Sequence, residues 1–150
     1  MTSTQQLAGF LAKFTPEIEV RATSILARMR RLLPCATELV YDNYNALAIG
    51  FGPGEKTSEA IFSIAVFPRW ISLFFLQGAA LADPAGILKG NGNVVRHIVL
   101  SGPGDLDSPA IAELMSRALA SAPNPIVASA PARLIIKSVS PKQRPRRPSK

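Results

Sequence analysis

Apolar positions in the first part of the chain repeat with helical spacing. Leu7, Phe10, Leu11 and Phe14 fall at i, i+3, i+4 and i+7, which predicts a short first helix. Thr15-Pro16 then supplies a cap followed by proline at the first helical position, with Glu17 and Glu19 near the positive helix end. The second predicted helix runs from Pro16 to about Leu33, where Pro34 stops it. Ile18, Ala22, Ile25, Met29, Leu32 and Leu33 form its apolar stripe, and Arg21, Arg28 and Arg31 face outward. Arg28, Arg30 and Arg31 complement the dipole at its C-terminal end.

Beyond Pro34 the period shortens to two. Residues 38–42 and 46–51 flank Asn43-Tyr44-Asn45 and predict a hairpin, followed by a polar loop from Gly52 through Ser58. Residues 60–67 and 70–76, split by Pro68-Arg69, predict a second hairpin. The latter strand is apolar on both sides, with Trp70, Phe74 and Leu76 on one and Ile71, Leu73 and Phe75 on the other. A strand of that kind is expected to be covered on both faces. Asp83-Pro84 predicts a short helical turn through Leu88, Gly90-Asn91-Gly92 a turn, and 94–100 a fifth strand. Ser108-Pro109 repeats the cap-and-proline signal and opens a last helix with Ile111, Leu114, Met115 and Leu119 inside. Two helices, five strands and a helix predict an α+β fold with a mainly antiparallel sheet.

The character of the chain changes near residue 122. Six of the thirteen prolines lie at or after Pro123, and PKQRPRRPSK has no apolar residue with which to build a core. The division expected is a domain over 1–122 and a Pro-rich basic tail over 123–150. The tail is expected to be mostly disordered, with 132–139 (ARLIIKSV) a candidate docking strand. Charge follows the same division. Residues 1–132 hold ten Lys and Arg against ten Asp and Glu, so the whole net charge of +7 sits in 133–150. Lys142, Arg144, Arg146, Arg147 and Lys150 would attract nucleic acid by counterion release. With no aromatic residue beside them, that binding is expected to be weak, salt-sensitive and poor in sequence information.

At 150 residues, 47% of them hydrophobic, the chain has enough apolar material for one core without staples. Cys35 is the only cysteine, which excludes an internal disulfide and fits a reducing compartment. The opening MTSTQQLAGFLAKF lacks a basic leader, and the most apolar stretch, 70–82, is too short to span a bilayer. A soluble, cytoplasmic protein is the expectation.

Candidate chemistry is sparse. GILKGNGN lacks the Lys-Ser/Thr pair of a phosphate loop and is expected to be a structural turn, with an anion site at Lys89, Asn91 and Arg96 as the alternative. His97, the only histidine, has no recognisable nucleophile or metal-ligand spacing around it. Tyr41, Asn43, Tyr44 and Trp70 are of the types that line ligand pockets. Grouped in space, Arg69, Trp70, Lys89 and Arg96 would make an anion- or partner-binding surface. With no acid–base or nucleophile set, the reading is a non-enzymatic binding or chaperone-like module.

The runs YDNYNALAIGF (41–51) and FSIAVFPRWISLFFLQGAALADPAGILKGNGNVVRHIVL (62–100) resemble the bacterial YdhG-like domain family of unknown function. The most specific order is G-x-x-L-x-D-P-x-x-x-L-x-G-x-G, here Gly78, Leu81, Asp83, Pro84, Leu88, Gly90 and Gly92, followed by Arg96 and His97. The resemblance spans about 15–122. It implies a two-layer sandwich of helices on a five-stranded, mainly antiparallel sheet, frataxin-like in outline. Some relatives are described as frataxin-like iron chaperones, so iron enters on resemblance alone. Delivery of that kind uses carboxylates on a helix and sheet edge, whereas the second helix here carries only Glu17 and Glu19, at one end.

Overall fold

In the computed structural model, which describes residues 1–148, both early helices begin at capping residues. Helix α1 (Ser3–Leu11) opens with a reciprocal capping box. The Gln5 N–H donates to Thr2 Oγ1 at 3.1 Å, and the Thr2 N–H donates to Gln5 Oε1 at 2.9 Å. In α2 (Pro16–Leu32) the Thr15 hydroxyl accepts from the Ile18 N–H at 3.3 Å. Its buried stripe is Ile18, Ala22, Ile25, Leu26 and Met29. Leu32, expected inside, is 38% exposed, because the chain leaves the helix after it and Leu33 turns in instead.

Strands β1 (Thr37–Asp42), β2 (Leu47–Gly52), β3 (Phe62–Val66), β4 (Ile71–Phe75) and β5 (Arg96–Leu100) form an antiparallel meander. Val40, Ile49, Ile64 and Leu73 lie on the face that joins the helices in one core, where Phe62 and Phe75 meet edge to face at 5.5 Å. Helix α3 (Pro109–Ser121) adds Ile111, Leu114, Met115 and Ala118 to that core.

A sixth strand corrects the expected count of five. β6 (Arg133–Val139) lies parallel to β1, giving the order β5-β4-β3-β2-β1-β6 and a mixed sheet. Leu134 and Ile136 pack against the core beside Val40, which is why a segment from a proline-rich tail joins the sheet. A bulge between Val40 and Tyr41 shifts the register. The tail is therefore ordered along β6 and beyond it, where Arg146 is buried.

Two further expectations give way, the second in part. No helix forms at 83–88. Gly86 adopts φ 66°, in the left-handed region, and the loop closes on the Asp83 carboxylate, which accepts from the Ile87 and Leu88 N–H groups at 3.1 and 2.9 Å. Cover of β4 on both faces holds only in part: Ile71, Leu73 and Phe75 join the core with the helices, and Ser72 is buried on the other face, where the large side chains stay partly open. There Trp70 is 43% exposed and Phe74 half-buried, resting against His97 at 5.2 Å, beside the small residues Ser63, Ala65 and Ser72.

Gly78 holds the end of β4 against β5. A Cβ there would lie 2.6 Å from Arg96 Cβ and 3.0 Å from both the Arg96 nitrogen and Phe75 Cβ. Because these atoms sit on paired backbone, Gly78→Ala is expected to destabilise the fold by about 1–3 kcal/mol in chemical denaturation. A loss below about 0.5 kcal/mol would show that the contact relaxes freely.

Candidate functional site

Strand register sets the ends of the sheet. Asp42 pairs with Leu47, Leu47 with Val66, Val66 with Ile71, and Ile71 with Leu100, so these residues share one end. Both hairpin tips, Asn43-Tyr44-Asn45 and Phe67-Pro68-Arg69-Trp70, extend beyond it. Since β6 is parallel to β1 and Asp42 pairs with Val139, the chain leaves β6 at this same end and crosses the tips.

Asp42 anchors that crossing. It lies on the helix-facing side of β1 with Val40 and has no solvent exposure. Lys13 Nζ donates to its Oδ2 and Arg146 Nη2 to its Oδ1, both at 2.9 Å. Its carbonyl accepts from the Ser140 N–H at 2.8 Å and the Gln143 amide at 3.0 Å. Burial pushes the Asp42 carboxyl up, but the groups donated by Lys13, Gln143 and Arg146 outweigh it and hold the carboxyl below its ordinary value. The Arg146 guanidinium sits 5.7 Å from the Phe14 ring centroid and also donates to the Asn43 and Tyr44 carbonyls.

Docked in this way, the segment completes a cleft of about 530 Å³. Asn45, Phe67, Pro68, Arg69 and Trp70 form the hairpin side, and Arg144, Pro145, Arg147 and Pro148 the tail side. Phe67 and Trp70 stack at 4.5 Å with 15° between their planes, which fixes the indole as a flat platform. The Arg144 N–H donates to the Tyr44 carbonyl at 2.9 Å, and its guanidinium lies 5.6 Å from the Tyr44 ring centroid. Arg147 Nε donates to the Lys13 carbonyl. All three arginines are exposed, none is paired with a carboxylate among the described residues, and no acid lines the cleft. The arrangement offers forked cationic donors around an aromatic surface, which suits an anion carrying a ring.

The residues singled out from sequence separate into two groups. Arg69, Trp70, Arg144 and Arg147 meet in the cleft, Tyr44 borders it through Arg144, and Asn43 contributes its carbonyl to Arg146. The proposed grouping of Arg69 and Trp70 with Lys89 and Arg96 does not form. Arg96 pairs with Phe75 at the far end of β4 from Trp70, and its guanidinium donates to the Gly92 and Val95 carbonyls, tying down its own loop. Lys89 and His97 exchange both backbone hydrogen bonds at 2.8 and 2.9 Å, so the Gly90-Asn91-Gly92 turn, with Gly90 at φ 113°, folds back onto the edge of β5. Tyr41 is at neither place; its hydroxyl hydrogen-bonds Thr57. Within the tail, Arg146 is buried, which corrects its place among residues open to nucleic acid. Lys142 is exposed, and Lys150 lies outside the described residues.

Sequence reasoning missed Asp42, Lys13, Asn45 and Phe67. Glu38 and Asp42, both in phase with the apolar Val40 on one face of the strand, were the available signal, since a buried carboxylate requires a cationic partner. Seven of the ten carboxylates sit in ion pairs, while Asp83 and Asp105 accept from backbone N–H groups. Among the described residues, no three His, Cys, Asp or Glu side chains gather as a metal site, and no helix is long and apolar enough to cross a membrane. Comparisons with protein families, curated proteins and solved structures found no match to this chain.

Proposed function

We propose that the chain is a YdhG-like, cytoplasmic and non-enzymatic binding module that takes an anionic small ligand in the cleft between the hairpin tips and the C-terminal segment. The observation that carries the reading is the meeting of Arg69, Arg144 and Arg147 around exposed Trp70, with no carboxylate in the lining among the described residues. The size is that of small-molecule sites. Among the described residues the lining also has no imidazole, thiol or carboxylate to move a proton or attack a carbon, which favours binding over catalysis.

Thermal denaturation of the full chain with inorganic phosphate and pyrophosphate tests it. A ligand at about a hundred times its dissociation constant adds about 2.7 kcal/mol, which raises the midpoint of a domain this size by roughly 5–10 °C. The shift is expected to disappear in Arg69→Ala/Arg147→Ala. An unchanged midpoint with both anions, or a shift that survives the double substitution, would remove the cleft as the site.

A further inference from the structure

From residue 133 onward the chain has no aromatic residue. On its own such a segment attracts polyanions by charge and does little more. Folding alters its surroundings. It lays Arg144 on the Tyr44 ring and sets Arg144 and Arg147 around a cleft shared with Arg69 and Trp70. We infer that the occupant of this cleft is single-stranded nucleic acid, held by its phosphates at Arg69, Arg144 and Arg147 and by one base stacked on Trp70. The inference rests on the anion-binding reading of the same site and puts the phosphates of a strand in the place of the small anion.

Three observations select this class. Trp70 is backed by Phe67 in a nearly parallel stack and still 43% exposed, so a flat apolar surface stands ready in water beside three cations. An inorganic anion or a simple carboxylate would leave that surface unused, whereas a nucleobase covers it. Tyr44, 47% exposed and already paired with Arg144, repeats the combination of ring and guanidinium next to the cleft, as a strand with successive bases requires. The cleft itself, about 530 Å³ between two hairpin tips and the tail, admits an unstacked base; in a duplex the bases are turned inward and cannot reach Trp70. Guanidinium forks match phosphate oxygens, and among the described residues no lining carboxylate repels them.

Trp70 is the only tryptophan, so the intrinsic indole fluorescence of the full chain reports this site alone. Titration with a twelve-nucleotide oligothymidylate is expected to quench it. Three phosphate contacts give a slope of log affinity against log salt of about −2, and Arg69→Ala, at an exposed position, lowers the magnitude by about 0.7. Followed by anisotropy of a labelled oligomer, Trp70→Leu is expected to weaken binding about 5- to 100-fold. Pyrophosphate and free thymidine monophosphate complete the test. Stabilisation by pyrophosphate without quenching by the oligomer overturns the nucleic-acid inference and leaves the anion-binding reading standing; no response to either removes both. A mononucleotide bound as tightly as the oligomer makes the occupant a free nucleotide. Oligomer binding that ignores Trp70→Leu reduces the interaction to the charge of the tail, and either result overturns the inference.

Discussion

A chain ended after residue 132 is expected to lose about 5 kcal/mol of stability, comparable with the whole stability of a small domain. Two losses combine. Removing β6 strips the cover that Leu134 and Ile136 give to the core, roughly 1 kcal/mol for each half-buried side chain. It also removes Arg146 and leaves the fully buried Asp42 carboxylate with Lys13 alone, a change on the order of 3 kcal/mol. The truncated chain also exposes the edge of β1, whose neighbours Leu39 and Val40 are apolar, so association is expected alongside the lower stability. Urea denaturation of the two chains checks this. A midpoint within about 1 kcal/mol of the full chain would make the C-terminal segment an accessory to the fold.

Asp42→Ala isolates the ionic part. The substitution leaves Arg146 beside Phe14 with no carboxylate, and the cation either remains buried or leaves with its segment. Either route has an expected cost of about 3 kcal/mol, and the second undocks residues 140–148. Trypsin supplies a direct readout, because Arg146 is buried in the native chain and becomes cleavable once the segment leaves. The same pair predicts a pH dependence. Held below its ordinary value of 3.8, the Asp42 carboxyl contributes its full stability above that pH and loses it as the pH falls through the lower folded value. Wild type is therefore expected to lose stability below about pH 4 more steeply than Asp42→Ala. Parallel acid-denaturation curves for the two would show that Asp42 does not carry the effect.

Local signals were legible in the sequence. Thr15-Pro16 marked the start of α2 to the residue, and the Asn43-Tyr44-Asn45 and Pro68-Arg69 turns marked both hairpins, because capping and turn chemistry act over a few neighbouring residues. The 83–88 helix failed on equally local grounds, since the conformation of Gly86 outweighed the Asp-Pro start. The apolar run in 132–139 was visible as a candidate docking strand, but its parallel pairing with β1 depends on an edge completed elsewhere. The cleft was seen in two disconnected halves. Arg69 and Trp70 stood as a ligand surface, Arg144 and Arg147 as a nucleic-acid tail, and only the direction of β6 joins them. Lys89 and Arg96 were drawn toward Trp70 by closeness along the chain, whereas antiparallel register sends Arg96 to the other end of the strand.

The partner of Asp42 lies 104 positions further along the chain. At synthesis rates of about 5–20 residues per second, Arg146 is added about 5–20 s after Asp42, an interval in which β1 to β5 can already pair. Throughout that time the growing protein carries an open strand edge and a carboxylate with half its final neutralisation. The long wait makes chains still in synthesis the population most exposed to faulty strand exchange, and the arrival of β6 and Arg146 decides when that exposure ends.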